Sequence, residues 1–143
     1  MTPEQRLAIE WECTRLINLY AQWNDEARWE EVAALYTEDG LMTRPTTPDK
    51  EVIGRAALLE AFLARPPRAS RHVCTNIVVT VENETEASAE SVIILYMGNA
   101  AEGGGLPTRD PAGPLVGTFR DRFRLTDEGW RFSERRGALS FHP

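Results

Sequence analysis

The amino-acid sequence predicts an α+β fold in which a curved antiparallel or mixed sheet wraps around N-terminal helices. Helical periodicity is confined to the first half of the chain, and strand-like alternation dominates the second half. Short turn sequences join neighbouring strands, as in β-hairpins. Helices that precede antiparallel strands, rather than alternating with them, are typical of α+β domains. With 143 residues, the chain is expected to form one domain over residues 1–143.

Three helices are expected before residue 70. Segment 2–5 combines a capping threonine, a proline and a capping-box glutamine, so a helix should begin there and run to about Asp25. A second amphipathic helix has its apolar positions within 29–36. A third short helix should begin near Gly54 and end before the prolines at 66–67.

The remaining segments read as strands and their connections. A short strand at 40–44 leads into a polar loop at 45–51. Four longer strands are expected at 72–82, 86–97, 115–126 and 129–137. Turn residues at 83–85 and 127–129 indicate two hairpins. The connection 100–114, rich in glycine and proline, is either a mobile hairpin loop or a lid over a pocket.

Composition excludes several classes of protein. The formal net charge is −6, and no basic stretch could neutralise the phosphates of a nucleic acid, so no nucleic-acid partner is expected. The charged N-terminus does not resemble a signal peptide, and no segment approaches the roughly 20 apolar residues of a membrane span. Cys13 and Cys74 are too few for a disulfide framework, which favours a cytoplasmic location.

The strand at 72–82 has apolar residues on both faces. One face should line the space around the helices, and the other should pack against a second subunit, which predicts a homo-oligomer, a dimer or a trimer, formed through the outer sheet face. Period-two alternation assigns the first face to His72, Cys74, Asn76 and Val78, and the second to Val73, Ile77, Val79 and Val81. In the next strand, Val92, Ile94 and Tyr96 share one face.

An acidic side chain lies on an apolar strand face at Asp121. A buried carboxylate needs a partner, and counting across the turn places Asp121 opposite Glu134 or Arg135. An Asp–Arg pair would satisfy it. Alternation from Trp130 onward, however, would turn Glu134 and Arg136 inward rather than Arg135.

Five segments carry a family resemblance: LYAQWNDEARWEEVAALYTEDG, EVIGRAALLEAFL, SRHVCTN, GTFRDRFRL and DEGWRFSERRG. Together they resemble the superfamily of nuclear transport factor 2. Within it they are most similar to the SnoaL-like branch that includes scytalone dehydratase, bile acid 7α-dehydratase and γ-hexachlorocyclohexane dehydrochlorinase. The resemblance covers nearly the whole chain. It implies a single SnoaL-like domain with a cone-shaped, cystatin-like α+β barrel around three N-terminal helices.

The resemblance implies a catalytic dyad of Asp25 and His72. A neutral imidazole is a suitable base for removing a proton from carbon, and a carboxylate on its other nitrogen fixes the tautomer. Tyr20 matches a tyrosine of the bile acid dehydratase and could donate a proton or bind substrate, whereas the dehydrochlorinase has a lysine there. Each residue also has a structural interpretation: a helix-end residue for Asp25, a strand-edge histidine for His72, and a core aromatic for Tyr20.

Substrate-binding residues are expected around this dyad. The resemblance to the dehydrochlorinase selects Arg135 for the pocket, which requires a bulge near Ser133. Arg44 stands near a tyrosine of the two dehydratases and could bind an anionic or carbonyl-bearing substrate, or be a solvated loop residue. The remaining expected lining residues are Trp23, Met42, Asn76, Ile94, Tyr96 and Phe119.

No metal or organic cofactor is expected. The two histidines, His72 and His142, are far apart in the sequence and no HxH, HExxH or CxxC spacing occurs. A dinucleotide-binding fingerprint is also missing. The sequence therefore favours a cofactor-independent site.

Three functions are compatible with the sequence. The first is a lyase that eliminates water or a hydrogen halide from a small apolar or cyclic substrate through the Asp25–His72 dyad. The second is a polyketide-cyclase-like enzyme, in which an acid, Asp25, carries the chemistry instead of the histidine, or a ketosteroid-isomerase-like enzyme. The position of Asp121 resembles that of a protonated aspartate in ketosteroid isomerases that donates a hydrogen bond to an oxyanion. The third is a non-catalytic protein that binds a small molecule, or a structural subunit like the small subunits of ring-hydroxylating dioxygenases.

Overall fold

The structure, a computed structural model that describes residues 1–143, contains three α-helices and seven β-strands. The helices are α1 (Pro3–Asp25), α2 (Trp29–Ala34) and α3 (Arg55–Leu63). The strands are β1 (Tyr36–Arg44), β2 (Thr47–Ile53), β3 (Ala69–Val81), β4 (Glu86–Asn99), β5 (Thr108–Arg109), β6 (Leu115–Thr126) and β7 (Gly129–Leu139). The predicted α+β class is confirmed. No helix combines the length and the apolar character that crossing a membrane would require.

Helix α1 begins and ends where the sequence predicts. The Gln5 backbone N–H donates to Thr2 Oγ1 over 3.1 Å, and the Thr2 N–H donates to Gln5 Oε1 over 2.7 Å, which completes the capping box. The helix ends at Asp25, and Ala27 follows with a positive φ of 55°. Helix α2 is shorter than expected, because Tyr36 already belongs to β1.

The seven strands form one mixed, curved sheet that does not close into a barrel. Its order is β2-β1-β7-β6-β4-β3, and β5 pairs with β4 beside this path. Strands β1 and β7 run parallel, while all other pairs are antiparallel. The helices fill the concave side of this sheet. Their core residues include Cys13, Ile17 and Phe62, which pack with aromatic rings of β6 and β7.

Segment 45–51, predicted as a polar loop, instead contributes to β2. This strand forms an antiparallel hairpin with β1, with Leu41 opposite Ile53 and Met42 opposite Val52. Strand β2 lies at the edge of the sheet, and only Val52 is even half-buried. A strand exposed on both faces carries no apolar alternation, which is why the sequence pattern did not reveal it.

A bulge in β3 changes the face assignment. Thr75 pairs with Val92 and Val78 pairs with Glu90, so two residues of β3 oppose one residue of β4. Asn76 takes a positive φ of 52° at this bulge. The prediction of two uninterrupted faces was therefore wrong. His72 and Cys74 point inward before the bulge and Ile77, Val79 and Val81 after it, whereas Val73, Asn76 and Val78 are exposed.

The connection 100–114 is partly ordered by pairing. Gly98 pairs with Arg109, and the Asp110 N–H donates to the Met97 carbonyl over 2.8 Å. A Cβ atom at Gly98 would lie 2.3 Å from the Thr108 carbonyl oxygen, so only glycine permits this close approach. The segment contributes no residue to the cavity that His72 and Tyr20 line, so the arrangement gives no support to a lid.

Candidate active site

A cavity of about 300 Å³ lies between the C-terminal part of α1 and the concave face of the sheet. Its apolar wall consists of inward-facing strand residues: Ile93, Leu95, Leu115, Phe119 and Leu139. Its polar side comes from α1, β1, the turn after β1, and the connection between α3 and β3: Asn24, Thr43, Arg44, Thr46, Arg65 and Arg68. Tyr20, Met42 and His72 lie between the two sides. An apolar pocket with a few convergent polar groups is the usual form of a small-molecule site.

Asp25 and His72 form a close hydrogen-bonded pair. His72 Nδ1 lies 2.6 Å from Asp25 Oδ1, and both side chains are nearly buried, with exposed fractions of 12% for His72 and 8% for Asp25. Since a carboxylate only accepts hydrogen bonds, Nδ1 is the donor in this contact, and in the neutral form of the ring Nε2 then carries no proton. Nε2 makes no hydrogen bond within the protein, so His72 can present it to the cavity that it lines.

The Asp25 carboxylate is held by more than the imidazole. The His72 backbone N–H donates to both oxygens, at 3.1 Å and 2.9 Å, and Ser70 Oγ donates to Oδ1 over 2.9 Å. Asp25 is the last residue of α1, and His72 lies near the start of β3, so these bonds join the two elements at one point. Ser70 was missed by the sequence analysis, although it lies two residues before His72 and so shares its strand face.

Tyr20 lies both in the core and on the cavity wall. Its hydroxyl lies 3.7 Å from Met42 Sδ and accepts a hydrogen bond from the Tyr36 hydroxyl over 3.3 Å. Its ring makes edge contacts with Phe62 and Phe119. The hydroxyl has only a weak acceptor in the thioether, so it can turn its proton toward a bound molecule.

Arg135 lies one layer behind this wall. Its Nε donates to Asp121 Oδ1 over 3.1 Å, and both side chains are completely buried. Its guanidinium carbon lies 3.9 Å from the ring centre of Phe119 and 4.3 Å from that of Tyr20. The register shift that turns Arg135 inward leaves Ser133 unpaired, at the position where a bulge was expected. Arg135 does not line the cavity, so it reaches a bound molecule only through these two rings.

In both Asp121 and Arg135, burial and the charge of the partner shift the pKa in opposite directions. Burial raises the pKa of Asp121 to about 6, against the opposing effect of the Arg135 charge. For Arg135, burial lowers the pKa and the Asp121 carboxylate raises it more, so the net shift is upward. At neutral pH the pair is therefore mostly ionised. Asp121 is shielded from the cavity, which gives an isomerase-like role for it no support.

Besides Arg135, four more of the predicted lining residues lie elsewhere. Ile94 and Tyr96 point to the outer face of β4, and their neighbours Ile93 and Leu95 line the cavity instead. Asn76 is exposed at the bulge. Trp23 is half-buried against the core away from the cavity, with the Arg28 guanidinium 5.0 Å from its ring centre.

These differences have local causes. Residues 92–97 of β4 are almost all apolar, so alternation there does not reveal the inward face. On α1, the stripe that reaches the cavity passes through Tyr20 and Asn24, which are four residues apart, and Trp23 lies to one side of it. Met42, Arg44 and Phe119 do line the cavity.

No group of three histidine, cysteine or acidic side chains is arranged to hold a metal ion. The polar groups that face the cavity are one imidazole, one phenol, hydroxyls, an amide and guanidiniums. This arrangement can accept a proton at Nε2 of His72 and donate hydrogen bonds around it.

Comparison with known proteins places the fold. The structure is similar to that of a scytalone-dehydratase-like protein from Novosphingobium aromaticivorans, with a TM-score of 0.81, 24% identity, and coverage of 98% of this chain and 89% of the other. It is also similar to a hexachlorocyclohexane dehydrochlorinase, with a TM-score of 0.79, 13% identity, and coverage of 98% and 90%. An NTF2-like protein with a cystatin-like fold, from the same Novosphingobium species, gives a TM-score of 0.76, 24% identity, and coverage of 96% and 86%.

The sequence matches a family model but no individual curated protein. No curated protein sequence matches the chain. A family model described as a SnoaL-like domain matches residues 5–136, which is almost the whole length. The chain therefore belongs to the family of SnoaL-like domains.

Proposed function

We propose that this protein is a cofactor-independent lyase that eliminates water or a hydrogen halide from a small, largely apolar or cyclic substrate. The observation that supports this most directly is the 2.6 Å contact between Asp25 Oδ1 and His72 Nδ1 beside an apolar cavity. Elimination needs a base for a carbon-bound proton, and this pair supplies one without any cofactor. The similar folds include a dehydratase-like protein and a dehydrochlorinase.

Each residue has a role in one redox-neutral step. His72 Nε2 takes a proton from carbon, the C–H electron pair forms a carbon–carbon double bond, and the leaving group departs from the neighbouring carbon. Asp25 stabilises the imidazolium that forms at His72. If the leaving group is hydroxide, the Tyr20 hydroxyl or the imidazolium protonates it to water. A halide leaves as the anion and needs no proton.

The test measures turnover of two panels: cyclic β-hydroxy carbonyl compounds, followed by the absorbance of the conjugated product, and halocyclohexanes, followed by halide release. For any compound turned over, His72→Ala should lower kcat by about 10²-fold or more. Val73→Ala is the matched control, because Val73 is the next residue and points outward. A His72→Ala variant that keeps the wild-type rate would exclude the imidazole as the base.

The Asp25→Asn variant separates this proposal from a cyclase-like mechanism. If His72 is the base, Asp25→Asn acts through the imidazole and its effect should not greatly exceed that of His72→Ala. If the carboxylate itself performs the chemistry, Asp25→Asn should be far more damaging than any change at His72. Comparison of the two kcat values therefore decides between the mechanisms.

The homo-oligomer and the cytoplasmic location stay predictions.

A further inference from the structure

We propose that the substrate carries an anionic group on an apolar body, and that Arg44, Arg65 and Arg68 bind this group at one side of the cavity. This inference rests on the proposed function, because it names the class of molecule presented to His72. The cavity lining contains these three guanidinium groups and no carboxylate. Such an arrangement selects a negatively charged ligand.

The missing carboxylates are notable in an acidic chain. Asp and Glu outnumber Lys and Arg by 22 to 16. Arginines outside the cavity form ion pairs with carboxylates. Arg55 pairs with Glu128 at 2.9 Å, and Arg136 pairs with Glu51 at 2.9 Å. None of the three cavity arginines forms an ion pair. Their charges are therefore available to a ligand.

The contacts that these arginines do make are neutral and fix their positions. Arg44 Nη2 donates to the Ala61 carbonyl over 3.0 Å, and its buried Nε has no partner. Arg65 Nη1 donates to Asn24 Oδ1 over 2.9 Å. The Arg65 guanidinium also lies 5.3 Å from the ring centre of Trp29. Arg68 Nη1 donates to Met97 Sδ over 3.1 Å. Each of the three arginines keeps further N–H groups that make no hydrogen bond within the protein.

The three like charges act on one another. Burial lowers the pKa of Arg65, and the charges of Arg44 and Arg68 lower it further. Burial also lowers the pKa of Arg68, with the charge of Arg44 adding to the effect and the Asp25 carboxylate opposing it. A bound anion would relieve this repulsion, because each guanidinium would gain an opposite charge.

The cavity also fixes the orientation of such a ligand. The arginines come from the end of β1 and from the connection between α3 and β3, whereas the apolar wall comes from β4, β6 and β7. The anionic group would therefore bind beside the connection, with the apolar body against the sheet and within reach of His72. A carboxylate and a phosphate monoester share the required chemistry.

Binding of three matched probes tests this inference: 1-naphthoate, 1-naphthyl phosphate and neutral 1-naphthamide, titrated calorimetrically into the full chain. At least one anion should bind about tenfold or more tightly than the amide, and added salt should weaken only the anions. The double variant Arg65→Gln/Arg68→Gln should remove this preference and leave amide binding unchanged. The anion that binds more tightly identifies carboxylate or phosphate as the preferred group.

Arg122→Gln is the matched control, because Arg122 is exposed on the outer face of β6 and forms no ion pair. Arg44→Lys should keep more of the preference than Arg44→Gln, and thermal melting checks that each variant is folded. Equal binding of the amide and both anions, or no saturable anion binding in the millimolar range, would overturn the inference. So would an equal loss of anion binding in Arg122→Gln. The same titrations with His72→Ala measure anion binding in a protein without the proposed base. Anion preference in this variant would support the inference whether or not the wild type catalyses elimination.

Discussion

At the scale of single residues, the pair of Asp121 and Arg135 is held by aromatic rings as much as by hydrogen bonds. Only one hydrogen bond joins the two side chains, and Asp121 Oδ2 and both Nη atoms of Arg135 have no partner. The guanidinium lies close to the faces of Phe119 and Tyr20, which stabilise it by cation–π attraction. A buried carboxylate with one hydrogen bond is poorly compensated for its lost hydration.

This pair predicts an unusual pH dependence of stability. The pKa of Asp121 is about 6 in the folded protein and near 3.8 when unfolded, so the folded state binds the proton more tightly. The stabilisation from this group is present below about pH 4 and is lost as the pH rises through 6, by up to about 3 kcal/mol. An Asp121→Asn variant has no such titration. Relative to it, the wild type should become more stable between pH 7.5 and pH 4.5.

Urea unfolding of both proteins across this pH range measures the difference. Other carboxylates titrate in the same way in both proteins, so the difference isolates Asp121. A wild type that loses stability relative to Asp121→Asn on acidification would mean that the attraction of Arg135 outweighs burial.

At the scale of the elements, the β3 bulge decides which side chains reach the cavity. Before the bulge, His72 points inward and meets Asp25; after it, Val79 and Val81 point inward and pack on α1. Without the extra residue, one of these two sets would lie on the outer face. The bulge therefore lets a single strand serve both the dyad and the core.

The backbone of Asn76 gives this bulge a measurable signature. Its φ of 52° is tolerated by asparagine and glycine but is unfavourable for a β-branched residue. Asn76→Val should lower the free energy of unfolding by about 1–2 kcal/mol, whereas Asn76→Gly should change it by less than about 0.5 kcal/mol. Thr75→Val, an exposed neighbour in extended conformation, is the control. Equal effects of Val at both positions in urea unfolding would contradict the role of the positive φ.

The same elements show what the sequence could and could not predict. The start of α1 follows from Thr2 and Gln5, because their capping box is formed by residues close together in the sequence. The inward face of β4 does not follow, because its apolar residues occur at both alternating positions. The Asp25–His72 pair was expected from family resemblance. Arg65 and Arg68 were missed, because their grouping depends on how the connection after α3 folds against the sheet.

At the scale of the whole molecule, the open sheet has an outer face that the helices do not cover. Val73, Ile94 and Val116 lie side by side across β3, β4 and β6 on this face. Val73 is 40% exposed. Farther along β6, the outer face carries Arg120, Arg122 and Arg124, and two of these pair with carboxylates: Arg120 with Glu90 and Arg124 with Asp39. The apolar row is the part of this face that best fits the predicted contact between subunits.

Introducing charge into this row should dissociate the predicted oligomer. Ile94→Arg should shift the wild-type dimer or trimer to a monomer, because a buried unpaired charge opposes association. Size-exclusion chromatography with light scattering measures the mass. Thr80→Arg, exposed on the same side of β3 but outside the row, should leave it unchanged. A monomeric wild type, or an Ile94→Arg variant of unchanged mass, would refute the predicted contact.

The hydrogen bonds that Asp25 accepts from Ser70 and from the backbone of residue 72 have a consequence for how such a protein can evolve. Asp25 binds the N–H of residue 72 and the Ser70 hydroxyl as well as the imidazole, so three of its four contacts do not depend on a histidine. A descendant that replaced His72 would lose the proposed base but keep the bonds that join α1 to β3. Its cavity would persist, and a later substitution could introduce a base again. The scaffold is thus inherited separately from the reaction, which allows one lineage to contain both enzymes and binding proteins.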